Sequence, residues 1–357
     1  MNNVSITQVS LLNLDVEEWE NLLIYSNEAT FFCSTDFLKL FSKTSFVLVR
    51  KNGLLIGGIA FRLDSRLPLI GSYFKTARID SSVIVIDSIG VAERLLVKER
   101  VVEYLISSLK NESVIYLFIS PLIRSNDADL FSKYQFNNEI ASTFVLSLKR
   151  EVSEIYKGFS KGKKSAIVKA SKGNLIFSIN TGPLAVDLID DYMKLQNKLF
   201  DQKKDFYSRL YYKTSGFFND LLTSRFYKTY LAIVYYNNQP ASAAILISYR
   251  NVIYYYQGAS DYNLAKEIPA SDFLHFEIIK FAKNNGFFEY DLGGIPNYNG
   301  PELSTYGVYK FKKSFGGERM SYDAGSLIIH PVKFKFISLL LKYQNSLIIK
   351  WLYKTLK

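Results

Sequence analysis

The 357-residue chain has one cysteine, Cys33, and only two histidines and two tryptophans. A single cysteine excludes an intrachain disulfide framework. His275 and His330 lie far apart with no cysteine partners, so no zinc-ligand spacing exists. There is no Gly-x-Ser-x-Gly elbow and no Gly-x-x-x-x-Gly-Lys-Ser/Thr loop, which removes the motifs of α/β-hydrolases and P-loop nucleotide enzymes. Asp291-Leu-Gly-Gly lacks the third glycine and the following helix of a dinucleotide fingerprint. No apolar run is long enough to span a bilayer. The N-terminus, Met1-Asn-Asn-Val-Ser-Ile-Thr, lacks the basic and apolar regions of a signal peptide. The expectation is a cytoplasmic protein with no metal or resident cofactor.

What is present is ample core material. Hydrophobic residues make up 48% of the chain, with 26 Tyr and 27 Phe, so the chain is not of disordered composition. Its length fits two domains better than one. The net charge is +11, unevenly spread. Residues 331–357 carry Lys333, Lys335, Lys342, Lys350, Lys354 and Lys357 and no acid, interleaved with Phe334, Phe336, Leu339, Ile348 and Trp351. A basic helix of this kind suits an anionic membrane surface, or packs on the body with its lysines in water; both readings stay open.

Internal similarity gives the organisation. Residues 46–63 read as two apolar strands around Lys51-Asn52-Gly53, a strong hairpin signal. Residues 230–249 repeat the arrangement around Asn237-Asn-Gln-Pro240. Each second strand opens with small residues, Gly57-Gly58 and Ser242-Ala243-Ala244, which permit close approach of backbone or ligand. Helical spacing falls at 93–110, 184–200 and 271–285, the last with Ser271 as N-cap after Pro269 and a stop at Gly286. His275 sits on that helix and is read as a helix-face residue, not a catalyst. Interleaved strands and helices with antiparallel hairpins predict a mixed α+β (α/β) fold rather than a doubly wound parallel sheet. The expected division is residues 1–150, residues 151–330, and a basic amphipathic C-terminal helix over 331–357.

Residues 157–172 hold six lysines in sixteen positions with helical spacing, a pattern for phosphate binding or for a solvated face. The segments that follow are Tyr255-Tyr-Gln-Gly-Ala259, Ile268-Pro-Ala-Ser-Asp-Phe-Leu-His-Phe-Glu-Ile-Ile279, Gly286-Phe-Phe-Glu-Tyr-Asp-Leu-Gly-Gly294 and Gly307-Val-Tyr-Lys-Phe-Lys-Lys-Ser-Phe-Gly-Gly317. In this order they resemble the FemAB family over roughly residues 150–320, and the first half resembles it by general pattern only. The resemblance implies two tandem GNAT-like domains. It also implies attack of an amine on an activated carbonyl, the donor being aminoacyl-tRNA or, in related proteins, acyl-CoA. The implied acceptor is a cell-envelope precursor such as a peptidoglycan, lipid-linked or nucleotide-sugar intermediate.

Such chemistry needs a route for the amine's proton, a cation or N–H donors for the tetrahedral oxyanion, and basic residues for carrier phosphates. Phe311-Lys312 matches the family's Phe-Lys pair, so the resemblance makes Lys312 the oxyanion or tRNA-end cation. Lys310 and Lys313 flank it. Lys39, in Thr35-Asp36-Phe37-Leu38-Lys39, and Arg209, in Phe206-Tyr-Ser-Arg-Leu-Tyr211, match phosphate-gripping positions. Lys164 and Tyr256 join Lys39, Arg209 and Lys310 as expected substrate-binding residues. Asp291 is read as capping the Gly-Gly turn, with a catalytic base in reserve. Two departures bear on the donor. Residues 184–228 leave no room for the long coiled-coil arm of chain-extending members. The Arg/Gln-x-x-Gly-x-Gly/Ala pyrophosphate loop of acyl-CoA enzymes is also absent. A third function, nucleic-acid binding through 157–172, has only Phe159 to offer for base stacking.

Overall fold

The structure, a computed structural model, describes residues 3–64, 75–120, 127–202, 212–295 and 303–342. The chain forms two compact units, Met1–Ile140 with Tyr322–Lys357, and Ala141–Ser321. The expected divisions at 150 and 330 thus stand beside divisions at 140 and 321, and the first unit is discontinuous in sequence.

In the first unit, strands β1 (Val4–Ser10), β2 (Thr44–Lys51), β3 (Leu54–Asp64) and β4 (Lys75–Ile79) pair antiparallel in that order. The two-residue strand β5 (Ile84–Val85) pairs with β3 at Gly57 and Gly58. The helix Val91–Asn111 then crosses over, and β6 (Val114–Ile119) pairs parallel with β4. Asn52 and Gly53 both adopt positive φ, so the β2–β3 connection is a two-residue turn whose twist matches its strands. A Cβ on Gly58 would lie 2.5 Å from the Val47 carbonyl and 3.0 Å from the Trp19 ring, so this close approach excludes a side chain. Trp19, from the helix Val16–Ile24, is fully buried, and its indole N–H donates to the Cys33 carbonyl at 2.9 Å.

The chain returns to this unit at its end. Two further strands are β7 (Asn137–Ser147) and β13 (Glu318–Ile328). Gly325–Ile328 of β13 pair antiparallel with β6. The helix Pro331–Lys342 follows, with Phe334 stacked on Tyr116 at 5.5 Å and Ile337 buried.

The second unit repeats the plan. Strands β8 (Leu175–Thr181), β9 (Lys228–Tyr236), β10 (Gln239–Tyr249) and β11 (Val252–Ser260) form an antiparallel run. The helix Ala270–Asn284 crosses over, and β12 (Glu289–Ile295) pairs parallel with β11. Ser142–Ser147 of β7 pair antiparallel with the other edge of β12. The order hairpin, strand, helix, parallel strand therefore occurs once in each unit. The β9–β10 turn is the two residues Asn237 and Asn238, both at positive φ, tighter than the four residues expected. Pro240 is tolerated because the register shifts beside it, between Pro240 and Ser242. The core packs β10 residues Ala244 and Leu246 against Leu274, Ile278 and Ile279 of the crossover helix, with Tyr290, Leu292 and Phe315.

Candidate active site

The site is built where two parallel strands part. β11 and β12 pair only over Val252–Tyr254 and Glu289–Asp291; beyond Tyr254 the pairing stops. Each strand carries an irregularity at that point. On β11 the register with β10 shifts between Leu246↔Tyr255 and Ile245↔Gln257, leaving Tyr256 as the extra residue of a bulge. On β12 the register with β7 shifts between Asp291 and Gly294. Gly293 there has φ +76°, and a Cβ on it would lie 2.9 Å from the Tyr255 carbonyl, so both conformation and space require glycine.

This bulge fixes the Gly293 peptide from both ends. Asp291 Oδ1 accepts the Gly293 N–H at 2.7 Å, the turn expected of Asp291-Leu-Gly-Gly. The Thr143 hydroxyl hydrogen-bonds Asp291 Oδ1 and lies 2.9 Å from the Gly293 carbonyl. Lys312 Nζ then donates to Gly293 O at 3.0 Å and to Gly294 O at 2.8 Å. Lys312 comes from the helix Leu303–Lys313 and is only 8% exposed. Burial pushes its ammonium down to about 8, against the pull of Asp291, and burial likewise raises the Asp291 carboxyl above its usual range. Two of the three ammonium donors are thus used on carbonyls.

Behind Lys312 lies a stack of rings that the sequence pattern does not announce. His275 is buried on the inner face of its helix, with Nδ1 2.7 Å from the Tyr290 hydroxyl. Burial, reinforced by Lys163 and Lys312, holds its imidazole well below the ordinary histidine range, so the ring is neutral. Tyr255, Phe311 and Phe315 pack on it at 4.8, 5.2 and 5.3 Å. Lys163 closes the stack. Its ammonium sits 3.8 Å above the Phe311 ring and 4.1 Å from the Phe315 ring, paired with Asp272. Burial lowers the Lys163 ammonium, while Asp272 opposes the shift. The helix Lys161–Ser171 turns Lys163, Ile167 and Ala170 inward at spacings of four and three, which selects Lys163 from the lysine run.

The expected residues distribute as follows. Lys312 and Asp291 come together around Gly293, and Phe311 packs on His275. Tyr256 is the extra residue of the β11 bulge, next in sequence to Tyr255. Lys310 is exposed on the outer side of the Leu303–Lys313 helix. Lys164 points away from the ring stack and donates to the Lys157 carbonyl at 2.7 Å. Lys39 belongs to the first unit, more than half exposed and 3.5 Å from Asp36. Arg209 lies outside the described residues. Lys163, Tyr255, Tyr290 and Thr143 were not singled out by sequence, and His275 was read as a helix-face residue. Ser271 is not an N-cap: the helix starts one residue earlier, after Pro269, and the Ser271 hydroxyl bonds Ser260 and Ser242 at 2.7 and 3.2 Å instead.

Residues 161–313, a span that contains this whole group except Thr143 and Phe315, match the acetyltransferase (GNAT) domain family. By fold, the chain is similar to the crystal structure of FemX, with a TM-score of 0.64 and 12% identity over 93% of this chain and 99% of that one. At the level of the fold, the FemAB resemblance holds. A tandem GNAT protein from the clavulanic acid biosynthesis pathway is also similar, with a TM-score of 0.57 and 11% identity over 92% of this chain and 99% of that one. In sequence, 75 residues are 33% identical to the lipid II:glycine glycyltransferase of Staphylococcus epidermidis, covering 21% of this chain and 18% of that protein. This chain therefore matches under a fifth of that curated relative's length. The two-unit repeat and these neighbours agree on a tandem GNAT fold.

Proposed function

We propose that this chain transfers an aminoacyl or other acyl group onto an amine of a cell-envelope precursor. The observation that carries the proposal is the buried Lys312 ammonium, fixed on the Gly293 and Gly294 carbonyls where β11 and β12 part. A preorganised cation in a low-dielectric wedge stabilises charge that develops on an attacked carbonyl oxygen. Lys312 is the oxyanion donor in this reading. Phe311 holds its helix against the ring stack. Asp291 shapes the Gly293 turn: one carboxyl oxygen already takes the Gly293 N–H and the Thr143 hydroxyl. The attacking amine gives its proton to solvent or to a second substrate group. The similarity to a lipid II:glycine glycyltransferase and to FemX supports an aminoacyl group and an envelope acceptor.

The donor carries phosphate, as aminoacyl-tRNA or acyl-CoA, and Lys39, Lys310, Lys164, Tyr256 and Arg209 are proposed to bind donor or acceptor. The absent acyl-CoA pyrophosphate motif puts aminoacyl-tRNA first. The test incubates the chain with an envelope extract and either labelled aminoacyl-tRNA or labelled acyl-CoA. Transfer from tRNA supports the aminoacyl reading, and transfer from CoA alone replaces it by acyl-CoA chemistry. Lys312→Ala is expected to lower the rate on the order of 10²–10³-fold, as loss of an oxyanion donor does. Undiminished transfer by that variant removes Lys312 from the mechanism.

The same reading places the chain at the inner face of the cytoplasmic membrane. No helix among the described residues is long and apolar enough to cross a membrane. Instead Val332, Phe336 and Leu339 are 85%, 52% and 54% exposed along one side of the Pro331–Lys342 helix, next to Lys333 and Lys335. Flotation with anionic vesicles tests this. Val332→Glu with Leu339→Glu is expected to abolish binding while leaving the packed Phe334 and Ile337 in place; unchanged flotation refutes the anchoring role.

A further inference from the structure

A second feature of the Ala141–Ser321 unit is unused by the transfer chemistry. Three helices, Val152–Lys157, Lys161–Ser171 and Ala270–Asn284, enclose an open groove of about 640 Å³. That volume lies within the ~300–1,000 Å³ of ordinary ligand sites. Its walls are Val152, Tyr156, Val168 and Phe276, with Lys172 and Lys280 on its lining. Tyr156 and Phe276 meet ring to ring at 5.4 Å, and the Tyr156 hydroxyl is taken by the Lys164 carbonyl at 3.3 Å. The rings thus offer apolar surface to the groove. Val168 is 48% exposed, at a position where a solvated helix face would carry a polar residue.

The charges are one-sided. No carboxylate among the described residues lines the groove. Lys280 is held by Glu277 at 2.8 Å, which neutralises it locally. Lys172 has no ion-pair partner among the described residues, and no acidic residue occurs in sequence between Glu154 and Asp187. An apolar trough with one free ammonium beside it matches a molecule with a hydrocarbon chain and an anionic head.

We propose that this groove binds the hydrocarbon chain of a phosphorylated lipid, with Lys172 on its phosphate. The proposal does not require the transfer reaction, so its test is independent of donor and acceptor. Dodecyl phosphate is titrated into the full chain below its critical micelle concentration and followed by calorimetry, with dodecyl maltoside and inorganic phosphate as separate probes. The expected result is saturable one-to-one binding of dodecyl phosphate, about tenfold tighter than dodecyl maltoside, and none of inorganic phosphate. Val168→Glu and Lys172→Glu, both at exposed positions, are each expected to weaken it about tenfold or more. Ile176→Glu, exposed on β8 and outside the groove lining, is expected to leave it unchanged. The proposal is overturned by absence of saturable binding, by equal affinity for the maltoside, or by wild-type affinity in Val168→Glu. It is equally overturned if Val168→Glu alters only the oligomeric state, which would make this face a contact between copies.

Discussion

Lys312 offers the most quantitative test, because its burial has a measurable pH signature. Each pH unit of displacement is worth about 1.4 kcal/mol, so a descent from 10.5 to about 8 corresponds to about 3 kcal/mol. Near neutral pH both folded and unfolded chains hold the proton, and the folded state bears the full cost of burying the charge. Between about 8 and 10.5 the folded amine is neutral while the unfolded one is still protonated. The unfolded chain then binds more protons, so stability rises with pH across that window, and above it no cost is left. A Lys312→Met chain has no such proton. Urea unfolding of both proteins across this window cancels the titration of all other groups. The stability of the natural chain minus that of Lys312→Met should grow by about 3 kcal/mol from neutral pH to the top of the window. A difference that stays flat would mean that Lys312 is solvated, and the oxyanion assignment would fall with it. The same ionisation predicts that transfer declines as pH rises through about 8, since only the ammonium stabilises an oxyanion.

Lys163→Met strands the Asp272 carboxylate and removes a cation from two rings; thermal or urea unfolding should show a loss of about 3–5 kcal/mol. Lys163→Met with Asp272→Asn should recover most of that, and failure to recover would place the cost in packing instead of charge. Gly293→Ala forces a Cβ to 2.9 Å from the Tyr255 carbonyl at φ +76°, for an expected loss of at least 1–3 kcal/mol in denaturant unfolding. Because it moves the carbonyl that Lys312 holds, it should also shift the pH dependence just described. His275 is kept neutral when folded, so below its unfolded value of 6.5 the unfolded chain gains a proton that the folded one refuses. Stability should therefore fall by about 1.4 kcal/mol per pH unit there, and His275→Phe should show less of this fall in the same unfolding series.

Much of the site was legible because short-range chemistry determines it. Asp291-Leu-Gly-Gly is a turn whatever surrounds it, since a carboxylate two residues before a glycine at positive φ closes on that glycine's N–H. Phe311-Lys312 was found through its motif. Other positions turn on facing, which the sequence does not show. In a run of six lysines, Lys164 and Lys163 differ by one helical step of rotation, and only packing against Phe311 and Phe315 decides which one is buried. Tyr255 and Tyr256 are likewise adjacent, and a bulge in β11 assigns one to the His275 stack and the other to the extra position. His275 was placed on the correct helix, but its inward orientation depends on Tyr290, which reaches it from β12.

The amino-acid sequence by itself determined the composition of two cores, the paired hairpins with the Asn52-Gly53 turn of the first, and the acid-free basic stretches. Each follows from local propensity or from a count. Tertiary structure alone decided that β13 and the Pro331–Lys342 helix complete the first unit, because pairing Gly325–Ile328 with β6 spans some two hundred residues and no local signal encodes it. It also decided that the parallel strands β11 and β12 part just where a bulge turns two carbonyls toward Lys312. A lysine becomes a poised cation only when it is removed from water, and burial is a property of the packed chain, not of the motif.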